Sequence, residues 1–171
     1  MRLPQVHEYP AYYRRYINLV EEVDFLVALD KQKYDMLDFL SGFGEEASAY
    51  RYAPDKWSIK EVIGHVLDVE RIFAHRALRF ARNDQTPLPE FDQENYIKYA
   101  YFDRRTLIDL RDEFRIVRDS TIALFTSFDD EILNRGGIAS GFKFTVRAIP
   151  YIIAGHESHH REVIEKKYMN R

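Results

Sequence analysis

Apolar residues recur every three to four positions over four long stretches of this chain, the rhythm of helices that bury one face. A short helix is expected over residues 11–18. Val23, Leu26, Val27, Tyr34, Leu37 and Leu40 then mark a first long helix, which Ser41-Gly42-Phe43-Gly44 should stop. Ile59, Val62, Ile63, Val66, Val69 and Phe73 mark a second, running to about residue 81. Its start is announced by Ser58 and Glu61, whose S-x-x-E spacing lets each side chain cap the other's backbone N–H. Residues 83–95 are polar and broken by two prolines, a long ordered loop of the kind that roofs a site. Thr106, Leu107, Leu110, Phe114, Val117, Thr121 and Leu124 give a third helix. A hairpin-like turn is expected over residues 134–144, where glycines flank β-favouring residues. A last helix is expected from near Thr145 to Tyr168, with Pro150 tolerated in its early turns. The expected fold is therefore all-α, a four-helix bundle with long connecting loops, formed by residues 1–171 as a single domain.

Composition narrows the function. With 25 Lys and Arg against 28 Asp and Glu, a net charge of −3, the chain has no basic excess to neutralise phosphates, so nucleic acid is not the expected partner. It contains no cysteine, which removes disulfides, thiol nucleophiles and Cys-type metal sites. Any metal must be held by His, Asp or Glu. The longest uncharged apolar run, from Ala148 to Gly155, is far short of a membrane span, and the charged N-terminal residues leave no signal-peptide core. A cytoplasmic location is expected.

Of the six histidines, His156 and His160 lie within about 20° of Ile149's direction on the last helix, in the middle of its apolar stripe and about 6 Å apart along the axis. Two neutral imidazoles serve each other poorly as partners, yet at this spacing their nitrogens can converge on one ion. His65 flanks the apolar face of the second long helix. Three imidazoles from two helices suit Zn²⁺ or Ni²⁺, with Fe²⁺ and Mn²⁺ possible, and leave at least one position open. His159 is expected at a helix contact or the rim, and His7 and His75 at the surface or in packing. A buried histidine is more often a hydrogen-bonded core residue than a ligand, a reading that weighs most on His65 taken alone.

Residues 156–160 also read H-E-S-H-H, an H-E-x-x-H string in which the central Glu serves as base in many metalloproteases. Only eleven residues follow His160, so a third ligand must come from upstream, unlike a standard zincin. Glu157 is the candidate catalytic base, set against a reading as a solvated or inter-helix carboxylate. A di-iron site would need a second E-x-x-H, which is missing. Asp68 and Glu70 are candidates for orienting a ligand ring, set against simple exposure.

Lys56-Trp57-Ser58-Ile59-Lys60-Glu61 leading to Gly64-His65, then Asp68-Val69-Glu70-Arg71, and Gly155-His156-Glu157 with His159-His160-Arg161 closely resemble the DinB-like superfamily, which includes DinB and YfiT-type metal-dependent hydrolases. The resemblance spans roughly residues 10–168. It implies a four-helix bundle, often dimeric, with a divalent metal held by His65, His156 and His160. Characterised relatives include thiol-cofactor-dependent transferases and isomerases, so the resemblance fixes the metal better than the reaction.

The sequence thus points to a metal-dependent enzyme that activates water or a low-molecular-weight thiol toward a small-molecule substrate. Hydrolysis is slightly preferred because Glu157 offers a base. The alternative is a non-catalytic metal-binding bundle acting through protein contacts. A homodimer is expected from the resemblance and from the 12 Tyr and 12 Phe residues.

Overall fold

The computed structural model describes residues 2–169. Its elements are α1 (Arg14–Ile17), α2 (Phe25–Ser41), α3 (Glu45–Ser48), α4 (Ile59–Ala81), α5 (Gln93–Ala100), α6 (Leu107–Thr126), α7 (Asp130–Leu133), the hairpin β1 (Gly136–Ala139) and β2 (Phe142–Thr145), and α8 (Ala148–Tyr168). The long helices α2, α4, α6 and α8 form the four-helix bundle. Helix α2 packs against α6 and α8, and so does α4, so α2 lies diagonally across from α4 and α6 from α8, while α4 and α6 are neighbours. No helix among the described residues is long and apolar enough to cross a membrane.

The helix boundaries follow from local chemistry. Ser58 and Glu61 form the reciprocal capping box that starts α4, and Thr106 with Asp109 forms a second that starts α6. Asp24 caps α2, which ends at Gly42. Pro150 sits in the first turn of α8, where the missing N–H has no helical partner to lose. The hairpin turns on Ser140 and Gly141, both at positive φ (53° and 80°), the conformation a two-residue hairpin loop requires.

The loop expected over 83–95 is shorter than its sequence suggests. Asp92 accepts hydrogen bonds from the N–H groups of Glu94 and Asn95 and starts α5 there. What remains is tied to the hairpin: Leu88 N–H donates to Ile138 O (2.9 Å) and Ser140 N–H to Leu88 O (3.0 Å).

The apolar core falls into two clusters, one around Phe25, Phe80, Phe125 and Ile152 and the other around Met36, Ile63, Phe114 and Ile164. Each long helix also buries polar residues: Lys33 from α2, His65 and Glu70 from α4, Arg118 from α6, and His156 and Glu157 from α8, where His160 is half-buried. A buried polar layer is costly unless its groups satisfy one another or a ligand does so.

Candidate metal centre

Glycines beside two of the histidines permit close approach. A Cβ on Gly155 would lie 1.9 Å from the Tyr16 carbonyl oxygen, so only glycine lets the α1 backbone rest on α8 beside His156. A Cβ on Gly64 would lie 2.3 Å from the Phe102 ring beside His65. The Trp57 ring packs against His65 at a tilt of 53° with centroids 4.9 Å apart, and Tyr16 meets both His156 and His159 edge-on at 5.4 Å. These aromatic walls hold the imidazoles in place.

His65, His156 and His160 converge. Nε2 of His156 lies 3.2 Å from Nε2 of His65 and 3.1 Å from Nε2 of His160, and the three donor atoms fall within 4.8 Å of one another. Zinc–nitrogen bonds of about 2.05 Å at tetrahedral angles would place neighbouring nitrogens about 3.3 Å apart, close to both measured separations. The arrangement suits a cation better than it suits the rings themselves. A neutral imidazole Nε2 is either donor or acceptor, so one His156 nitrogen facing two others cannot make a good bond to each while serving in both roles. The residues present therefore fit a divalent ion.

Electrostatics agree with that fit. Burial lowers the His65 pKa to about 4, and burial reinforced by His65 lowers that of His160 to about 3. Burial, then His160 and His65, also pushes His156 well down. All three rings are neutral at pH 7, the state in which imidazole binds metal. His65 and His156 are 4% and 7% exposed, and His160 is partly open.

Two cavities adjoin the cluster. One of about 380 Å³ is reached by His65 and His156 and walled by Tyr13, Tyr16, Phe73 and Phe91; another of about 230 Å³ is bordered by His160, Trp57 and Glu94. The 83–92 loop and the start of α5 supply Glu90, Phe91, Gln93 and Glu94 to their lining.

Glu157 faces elsewhere. One residue along a helix is a turn of about 100°, and its carboxylate accepts a 2.6 Å hydrogen bond from Arg118 Nη2, at 2% exposure. Arg118 also donates to both carboxylate oxygens of Glu70, at 2.9 and 2.8 Å, and to Leu29 O. Glu70 is thereby committed to Arg118 and does not orient a ligand ring. Burial raises the Glu157 pKa to about 7 even though the Arg118 charge opposes the rise. The cavity it borders, of about 180 Å³ beside Gln32 and Arg161, is distinct from the two at the histidines.

The sequence reading missed Arg118, although its signal was present: Arg118 follows Phe114 by four and precedes Thr121 by three, inside the buried stripe of α6. His159 is half-buried against Tyr16, and His7 and His75 are exposed.

The sequence profile of the DinB superfamily matches residues 28–164. The chain is similar in structure to YfiT from Bacillus subtilis, described as a probable metal-dependent hydrolase with an unusual four-helix bundle topology, with a TM-score of 0.63 and 14% identity over 95% of this chain and 91% of that one. No curated protein matches the chain in sequence.

Proposed function

The chain belongs to the DinB superfamily, and from that premise we propose that it is a metal-dependent enzyme whose His65, His156 and His160 hold a divalent ion, zinc or nickel, beside a cleft for a small-molecule substrate. The observation that carries this reading is the convergence of three neutral Nε2 atoms, two from buried and one from a half-buried histidine, at the edge of two cavities. The bound ion would supply Lewis acidity, making a water or a small thiol nucleophilic near pH 7. The protein's own residues do the rest. Trp57 and Tyr16 fix the imidazole planes, and the aromatic walls shape the space in which an electrophilic substrate is held away from bulk water.

Glu157 enters this proposal as a positioning residue that braces α8 against Arg118. With that carboxylate committed, the ground for preferring water to a thiol falls away, and both nucleophiles stand equally. The homodimer is part of the same proposal, read out by light scattering at twice the 20.4 kDa chain mass.

The decisive experiment is elemental analysis of the untagged protein and its His156→Ala variant. One equivalent of a divalent ion in the first and none in the second is the expected result. Failure of the wild type to retain or take up Zn²⁺ or Ni²⁺ overturns the reading. A cobalt-substituted sample whose spectrum ignores added thiols and small anions would leave the ion without an accessible position, and the alternative of a non-catalytic metal-binding bundle would then stand.

A further inference from the structure

Phe91 stands between two cavities. One, of about 380 Å³, ends at His65 and His156; on the other side of the ring, among α4, the 83–92 loop and α5, lies one of about 290 Å³ whose lining includes Ile72, Arg76, Leu88, Pro89 and Tyr96. His65, His156 and His160 do not border this second cavity. Its walls are largely apolar. Leu88 is buried, Ile72 and Phe91 are half-buried, and the Tyr96 ring meets Phe91 with centroids 5.5 Å apart.

Arg76 is 2% exposed. Its Nη2 donates to Pro89 O at 3.1 Å and to Ser140 Oγ at 2.9 Å, and the guanidinium also interacts with the Tyr13 hydroxyl. Its guanidinium carbon lies 5.0 Å from the Phe73 ring centroid and 5.9 Å from that of Phe91. These partners hold the group in place, and none of them carries a negative charge. Arg118, buried as deeply, is met by two carboxylates. The other charges at the cavity do not make up the difference: Arg71 is paired with Glu113 at 2.6 Å, and Glu90 is exposed and forms no ion pair with Arg76 among the described residues. A buried cation with only neutral partners is costly, and an anion brought to it recovers part of that cost.

We propose that this second cavity is a binding site for a small amphipathic carboxylic acid, with the carboxylate at Arg76 and the apolar body between Ile72, Leu88, Phe91 and Tyr96. A single guanidinium matches a monoanion, and the apolar walls disfavour the dianion of a phosphate ester. The volume admits one ring or a short chain, since a cavity of about 150 Å³ already holds benzene. The site is separate from the metal centre and does not rest on it. Because Glu90 and Phe91 line both cavities, an acid held here adjoins the histidine cavity without entering it.

The test uses metal-free protein, so that a carboxylate has no ion to bind. Benzoate, phenylacetate, 3-phenylpropanoate and hexanoate are titrated alongside their neutral amides, with calorimetry for affinity and NMR of the histidine ring protons for location. A charge-assisted hydrogen bond predicts that at least one acid binds about tenfold or more tightly than its amide. That acid should shift the signals of His75, which lines this cavity, and leave those of His65 and His156 in place. The preference should vanish in Arg76→Met and survive His75→Gln. Ile72→Trp, which fills the cavity from a half-buried position and leaves Arg76 and its partners intact, should abolish binding even if Arg76→Met fails to fold. No acid preferred by this margin overturns the proposal. So does a preference that outlasts both Arg76→Met and Ile72→Trp, or that disappears in His75→Gln. Shifts at His65 and His156 with His75 unmoved would put the acid in the other cavity and overturn it as well.

Discussion

His156 and Glu157 are neighbours on α8, yet they belong to two buried polar sites of opposite character. Glu157 joins Glu70 and Arg118 in a cluster that is closed by its own charges, with each guanidinium nitrogen donating to a carboxylate or a carbonyl. His156 joins His65 and His160 in a cluster of acceptors and shared protons that has no counter-group of its own. The first site is complete as folded and ties four helices through Leu29 O, Glu70, Arg118 and Glu157. The second gathers three imidazole nitrogens that a divalent ion would satisfy better than they satisfy one another. A single bundle thus separates the polar groups that hold it together from those free to engage a ligand, by nothing more than the helical turn between adjacent residues.

The largest effect should come from breaking the closed site. Arg118→Met leaves two buried carboxylates without their cation and is expected to cost about 3–5 kcal/mol in urea unfolding. A loss under about 1 kcal/mol would show that the cluster is not the clasp described. Replacing Glu70, Arg118 and Glu157 together with apolar residues of similar volume should recover most of that loss, because the penalty lies in the unpaired charges rather than in the absence of the bridge.

Metal binding at the histidines should come next. Zn²⁺ or Ni²⁺ at about one hundred times its dissociation constant is expected to stabilise the wild type by about 2.7 kcal/mol, and to leave His160→Ala unmoved. Equal stabilisation of both proteins would take the ion away from these histidines.

The two sites should also respond to pH with opposite sign. A histidine whose pKa is lowered by folding, from 6.5 to about 4 for His65 or about 3 for His160, binds fewer protons in the fold than in the unfolded chain. Its contribution is therefore present above pH 6.5 and lost as the pH falls toward 3 to 4. Glu157, raised by folding from 4.5 to about 7, contributes stability that is present below pH 4.5 and lost as the pH rises through 7. In metal-free protein, the stability difference between wild type and His65→Ala should shrink on acidification, and that between wild type and Glu157→Gln should shrink on alkalinisation. The same slope in both would erase the distinction.

The smallest effect separates structure from chemistry. Glu157→Gln keeps an acceptor for Arg118 and should retain the full metal content, with turnover unchanged once a substrate is in hand. A loss of turnover with metal retained would return Glu157 to the role of base.

Much of this was legible along the chain. The S-x-x-E box set the start of α4 to the residue, because capping is decided within four positions. The spacing of His156 and His160 placed both in one stripe, because a helix repeats every 3.6 residues whatever surrounds it. The short helices α5 and α7 were not anticipated, since one or two turns carry too little periodicity to stand out from a polar loop. Glu70 was weighed as a support for the metal ligands and proved to be a partner of Arg118.

What the sequence determined was local: where helices begin and end, and which residues share a face. What the tertiary structure decided was pairing. His65 meets His156 across 91 residues, Glu70 meets Arg118 across 48, and Arg118 meets Glu157 across 39. Those choices depend on which helices become neighbours and at what height, and the diagonal arrangement of α2 with α4 and of α6 with α8 sets both. Periodicity fixes the direction of a side chain around its own helix axis; only packing fixes what stands opposite.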